Sequence, residues 1–226
     1  MRTAQKVYIL GGSQTDFERK WSREGKELFD LFSETLHQGF EAAELDPQDI
    51  QSAHVGNFAA ELFSNQGHLG GFFAQANPGL RGCPASRHEA ACASGSMALL
   101  SASAEIEAGR YDLVCVLGIE MMRHQATVDA ARYLGAAAWF NHEFTHTPWV
   151  WPAVFAEIMN EYHDRYGLDE AYLSEIARSN FYNARSNSNA QTRNWQLQDR
   201  FFERDAEENP ILEGRLRKYD CSQITD

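Results

Sequence analysis

Hydrophobic and polar positions alternate between two rhythms in the first half of the chain. Val7-Tyr8-Ile9-Leu10 is a short continuous apolar run that ends at Gly11-Gly12, the signature of a buried strand closed by a turn. Leu28, Phe32, Leu36, Phe40 and Ala43 then recur at helical spacing, and Asp46-Pro47 restarts the chain after that helix. Ser52 to Phe58 predicts a second strand, followed by a glycine-rich turn and a helix through residues 67–74. Residues 87–91 predict a short strand, and 93–108 a helix with apolar and small residues nearly all round, hence a buried one. Gly109 stands where a helix-ending glycine belongs. Asp112-Leu113-Val114-Cys115-Val116-Leu117-Gly118 is the strongest strand of the sequence. Strands alternating with helices over short links predict an α/β layer fold with a mostly parallel sheet.

The rhythm is lost after Met122. Residues 123–152 carry aromatics, three histidines and two prolines, with no long periodic pattern. Two helices are expected next. The first, 152–166, sets Phe155, Met159, Tyr162 and Tyr166 on one face and ends at Gly167; Asp169 caps the second, which runs through Leu173, Ile176, Ala177 and Ala184. Residues 186–193 are polar and loop-like. The last nine residues, 218–226, approach an element that does not follow.

Composition narrows the function classes. The 226 residues are 43% hydrophobic, with 14 Phe, 8 Tyr and 5 Trp, enough to build a core and to exclude global disorder. The formal net charge of -12 argues against nucleic acid or an anionic membrane as partner, because phosphate surfaces demand a basic patch. No stretch approaches the roughly 18 apolar residues of a membrane span. Met1-Arg2-Thr3-Ala4-Gln5-Lys6 lacks the apolar core of a secretory leader. Cys83, Cys92, Cys115 and Cys221 form no C-x-x-C pair or disulfide spacing, so a reduced, cytoplasmic chain is expected.

Three stretches carry candidate chemistry. In Glu89-Ala90-Ala91-Cys92-Ala93-Ser94-Gly95-Ser96-Met97, one thiol stands among small residues at a strand-to-helix junction. Buried cysteines are commonly inert core fillers. Here, however, a helix N-terminus favours a thiolate and offers N–H groups to a developing oxyanion, while the small neighbours clear room for a reacting group. Cys115, in mid-strand, has none of these features and reads as core. His142-Glu143-Phe144-Thr145-His146 matches H-E-x-x-H, which binds zinc only on a helix that aligns both histidines; Pro148 disfavours helix at Thr147 and leaves little room for it. Trp139, Phe140, Trp149, Trp151 and Phe155 supply either core and subunit contacts or an apolar lining for an acyl chain. No glycine motif for nucleotide phosphates is present.

The Cys92 segment, its helix and the following Val114-Cys115-Val116-Leu117-Gly118-Ile119-Glu120-Met121-Met122 resemble the nucleophile region of thiolases. The likeness is greatest to acetyl-CoA acetyltransferases of the sterol-carrier-protein-thiolase-like subgroup. Val55 to Glu61, Gln66 to Gly70, Tyr166-Gly167 and Asp220 to Asp226 fit it too. The resemblance implies an α/β thiolase-like N-terminal half at 1–122, a mainly helical loop region at 123–217 that covers CoA and the acyl group, and at 218–226 the start of a return to the core. It also implies that Cys92 is the acyl-accepting nucleophile and that its backbone N–H is one oxyanion donor. No substrate-binding residue, metal or cofactor is assigned, coenzyme A being a substrate. The histidine base and second cysteine of the family belong to a second half not found in these residues, which points to a truncated or split chain. A homodimer or homotetramer, and a small zinc-ribbon and OB-fold partner protein, are the implied partners. The alternatives are a retro-aldolase on the same fold, a non-catalytic acyl-CoA or lipid binder, and a zinc hydrolase at His142 and His146.

Overall fold

A computed structural model describes residues 6–226; the leader-free reading of residues 1–5 lies outside the described residues. The chain divides into two compact units. One holds residues 6–15, Lys20–His124 and Asp226, the other Asp16–Arg19 and Gln125–Thr225.

The first unit is the expected α/β layer. Helix α1 (Leu28–Ala43) buries Leu28, Leu31, Phe32, Leu36 and Phe40, the face the periodicity predicts. Strand β1 (Ser52–Gly56) follows a turn in which the Asp46 carboxylate accepts the Gln48 N–H. Two short helices, α2 (Ala60–Ser64) and α3 (Gly71–Ala76), precede β2 (Ala85–His88); α2 was not signalled by any periodic run. Helix α4 (Ser94–Glu107) and strand β3 (Val114–Gly118) complete the unit. The strands pair in parallel, in the order β2-β1-β3. The core beneath is largely aliphatic, with aromatic rings packed into it. Phe32 meets Phe73 and Phe72 edge-on at 4.9 and 5.4 Å, and burial of each such ring is worth about 1.5–3 kcal/mol.

Three expectations are corrected here. Residues 7–10 form no strand: Tyr8, Ile9 and Leu10 are exposed, because no neighbouring strand or layer covers them among the described residues. Strand β2 starts and ends earlier than predicted, because Glu89 and Ala90 leave the sheet for the turn that follows. Helix α4 is not buried all round. Its small residues Ser94, Ala98 and Ala102 are buried, whereas Met97, Leu99 and Leu100 face out, since only its small-residue face has a layer to meet.

The second unit is mainly helical. Helix α5 (Thr127–Leu134), missed in the sequence, precedes α6 (Val150–Tyr166) and α7 (Ala171–Ala184), and a hairpin of β4 (Ile211–Glu213) and β5 (Leu216–Arg217) follows. Gly167 ends α6 at φ +71°, and the Asp169 carboxylate accepts the Ala171 N–H at 3.0 Å. The inward face of α6 differs from the predicted one. Ala153, Ala156 and Met159 are buried, while Phe155, Tyr162 and Tyr166 are exposed. No helix among the described residues is long and apolar enough to cross a membrane.

Candidate active site

Parallel pairing sends all three strands of the first unit to one edge. Gly56 lies opposite both His88 and Gly118, so the segments beginning at Asn57, Glu89 and Ile119 leave the sheet side by side at its carboxyl edge. In open α/β sheets this edge is where ligands bind.

Cys92 sits there, in the single turn Ala91–Ala93 between β2 and α4. Of the chain's four cysteines it is the exposed one. Burial pushes the Cys115 thiol up to about 12 and raises those of Cys83 and Cys221, which makes these three poor nucleophiles.

The Cys92 turn is braced by the residues that flank it. The Ser94 hydroxyl accepts the Ala90 N–H at 3.0 Å and donates to the Ala91 carbonyl at 2.7 Å. The Glu89 carboxylate accepts the Ala91 N–H at 2.6 Å. Ala91 is held at φ +49°, a left-handed conformation that costs a residue with a Cβ about 1–2 kcal/mol. Beneath the turn, the missing side chain of Gly56 lets the backbones touch. A Cβ on Gly56 would lie 2.6 Å from the Gly95 Cα, which no real contact allows, whereas a Cβ on Gly95 would meet nothing. Bare backbone at Gly56 thus seats the start of α4 on the end of β1.

Two polar residues at the same edge escaped the sequence reading as parts of a site. Asn57, almost fully buried, donates from Nδ2 to the Ile119 carbonyl at 2.8 Å and to Glu120 Oε1 at 3.1 Å, while its Oδ1 accepts the Ala60 N–H. Glu120 Oε2 accepts the N–H groups of Phe58 and Ala59 at 2.9 and 3.3 Å. Burial raises the Glu120 pKa despite those hydrogen bonds. Together the pair ties the end of β3 to the end of β1. The signal available in the sequence was polarity directly after an apolar strand, which turn residues share.

The remaining candidates lie in the second unit. His142 to His146 form no helix: Asn141 and Phe144 take positive φ, so the two histidines are not stacked one turn apart. His142 instead stacks on Trp139 at 4.2 Å between ring centroids, and Glu143 accepts the Trp139 N–H at 2.8 Å. A cavity of about 320 Å³ opens among Arg132, Phe140, Phe144, His146, Pro148 and Val150. Trp151 is tied by its indole N–H to the Leu134 carbonyl at 3.0 Å, while Trp139 and Phe140 are exposed.

The chain is similar in sequence to known proteins. The family model described as "Thiolase, N-terminal domain" matches residues 7–194. An acetyl-CoA acetyltransferase of Methanocaldococcus jannaschii is 35% identical over 185 residues, covering 82% of this chain and 45% of that protein. An acetyl-CoA acetyltransferase of Methanothermobacter thermautotrophicus is 29% identical over 221 residues, 97% of this chain and 54% of that protein. A Caenorhabditis elegans protein named non-specific lipid-transfer protein-like 2 is 28% identical over 198 residues, 84% of this chain and 47% of its own length. The chain spans about half the length of these relatives.

Proposed function

The chain belongs to the thiolase family, and from that premise we propose that Cys92 accepts an acyl group from a CoA thioester. The observation that carries this reading is the placement of Cys92, the exposed thiol of the four, on a braced turn at the carboxyl edge of the sheet.

In the transfer, the Cys92 thiolate adds to the thioester carbonyl of acetyl-CoA. The carbonyl electrons move to oxygen, and the Cys92 backbone N–H supplies a donor for that oxyanion. Collapse expels the CoA thiolate, which takes a proton, and leaves acetyl-Cys92. In thiolysis the same thiolate adds to the ketone carbon of a 3-oxoacyl-CoA. The bond between C2 and C3 breaks, its electrons leave on C2 of an acetyl-CoA enolate that is then protonated, and a second CoA thiol carries the acyl group away. Splitting one hard displacement into two is the gain from a covalent nucleophile. The histidine base and second cysteine implied by the family likeness have no assignment among these residues, so slow turnover is expected of this chain alone.

Residues 123–217 are read as the cover over CoA and the acyl group, with the exposed aromatics as apolar lining. A homodimer or homotetramer, a small zinc-ribbon and OB-fold partner, and a cytoplasmic setting belong to the same proposal. Mass analysis of peptides after incubation with acetyl-CoA tests it. An acetyl group is expected on Cys92 and absent in Cys92→Ala; an adduct on another residue, or one that survives that substitution, overturns it. Acyl-CoA binding without transfer, favoured by the lipid-transfer name of one relative, predicts saturable binding with no adduct.

A further inference from the structure

Between the sheet and α4 lies a chain of polar groups that acyl transfer does not use. His54 on β1 is 3% exposed. Its Nε2 lies 3.0 Å from Glu105 Oε2 on α4, and its Nδ1 lies 2.8 Å from His88 Nε2 at the end of β2. The Ser86 hydroxyl reaches His88 Nε2 at 2.9 Å and His54 Nδ1 at 3.2 Å; Ser101 Oγ on α4 lies 3.3 Å from His88 Nδ1, and Ser52 Oγ 3.4 Å from His54 Nε2.

The protons in this chain can be counted. An ionised Glu105 only accepts, so His54 Nε2 carries a hydrogen. A 2.8 Å contact between two ring nitrogens needs one hydrogen, not two. With both rings neutral, His88 Nε2–H donates to His54 Nδ1. One added proton also fits: His54 becomes a cation against Glu105 and donates from Nδ1, while His88 turns its own hydrogen to Nδ1 and Ser101. A second added proton does not fit, because two N–H groups would then point at each other between two cations.

We propose that Glu105, His54 and His88 form a latch that holds one positive charge and opens on the second, releasing the turn that carries Cys92. The latch reaches that turn through the backbone. His88 is four residues before Cys92, and its carbonyl accepts the Asn57 N–H at 3.1 Å; Ser101 and Glu105 lie on the helix that begins just after the thiol. His88 and His54 are thus positioning residues. The inference does not depend on acyl transfer, since it concerns the order of the turn alone.

The surrounding charges agree with the count. Burial, then the neighbouring His54, lower the His88 pKa, against a smaller opposing pull from Glu105. Burial disfavours ionised Glu105, yet hydrogen bonds from Ser52 and His54, the His54 charge and Arg110 keep its pKa below the usual value. The Cys83 thiol, which burial and then Glu105 push up, adds no charge. A histidine whose folded pKa lies below its unfolded one contributes stability that is full above the ordinary value near 6.5 and lost as pH falls toward the folded value.

The test measures amide exchange of residues 89–95, corrected for intrinsic pH dependence, in the full chain and in His88→Gln. Glutamine places an amide N–H near the position of His Nε2 and takes no proton. Protection in the wild type is expected to fall about tenfold for each pH unit below the ordinary histidine value, and to stay within about twofold in His88→Gln. Equal loss in both proteins overturns the latch. Imidazole nitrogen NMR of the wild type decides independently, should the variant not fold. A shared hydrogen, with the second proton bound only well below the first, supports the latch. Two rings titrating separately at ordinary values refute it.

Discussion

The Cys92 turn and the α6 region are built from opposite materials. Around Cys92 the side chains are small, and position is set by backbone: Gly56 against Gly95, Ser94 bonded twice to the turn, Ala91 held at positive φ. Along α6 the residues are large, and position is set by which side of a cylinder finds a neighbour. Small residues at a strand-to-helix junction have few uses, so they announce a close approach. An aromatic at helical spacing fits a core, a ligand or a partner equally, and its spacing does not choose. The largest test of this difference sets Cys92 against Cys115. Cys92→Ala is expected to abolish acylation, while Cys115→Ala leaves it intact, because the half-buried Cys115 thiol, raised to about 12, is not ionised. Acylation that depends on Cys115 would break the comparison at its root.

Next in size is the pair of glycines. Gly56→Ala forces a methyl within 2.6 Å of backbone that cannot yield without moving α4 off the sheet, and a loss of about 3 kcal/mol or more is expected by chemical denaturation. Gly95→Ala meets open space within a helix, so it is expected to be neutral or to stabilise by up to about 1 kcal/mol. Equal losses at both positions would show that the packing is less one-sided than the contact distances indicate.

Legibility follows the same division. The strand order from β1 to β3, with α3 and α4 but not α2, was readable because a buried parallel strand is a continuous apolar run between turn signals and a packed helix shows in its run of apolar and small residues. The Cys92 junction was readable for its composition. Residues 7–10 misled because a continuous apolar run states that burial is wanted, not that a neighbour supplies it. Helix α4 misled in the same way: Met97, Leu99 and Leu100 make it apolar all round, yet only Ser94, Ala98 and Ala102 are covered. The bond of Asn57 to Glu120 spans 63 positions, and that of His54 to Glu105 spans 51, so nothing local foretold either. On α6 the buried set contains two alanines, too slight to outweigh aromatics in any hydrophobic pattern.

Glu120→Gln probes the rim of the site with an intermediate effect. An amide cannot accept at both oxygen positions, so one of the bonds from Asn57, Phe58 or Ala59 is lost, at a cost of about 1–3 kcal/mol at neutral pH. The pH dependence has a definite sign. A carboxyl raised by burial binds its proton more tightly folded than unfolded, so its contribution is full below the ordinary carboxylate value and declines as pH rises through the raised one. Denaturation midpoints across that window are expected to fall with pH in the wild type and to lose this component in the variant.

The smallest effects sharpen the contrast from the side of α6. Met159 is 8% exposed and packs with Ala156, Leu168, Leu173 and Leu216, so Met159→Ala is expected to cost about 2 kcal/mol. Tyr166 is 71% exposed, and Tyr166→Ala should shift stability by no more than about 0.5 kcal/mol. The two residues shared one predicted face, and denaturation of the two variants separates them. If Tyr166→Ala cost as much as Met159→Ala, the outer face of α6 would be covered in solution, and the aromatic stripe would belong to an interface. A negligible cost for Tyr166 leaves the stripe free, and the seat of α6 then rests on Met159 together with Ala153 and Ala156, the two alanines that the hydrophobic pattern passed over.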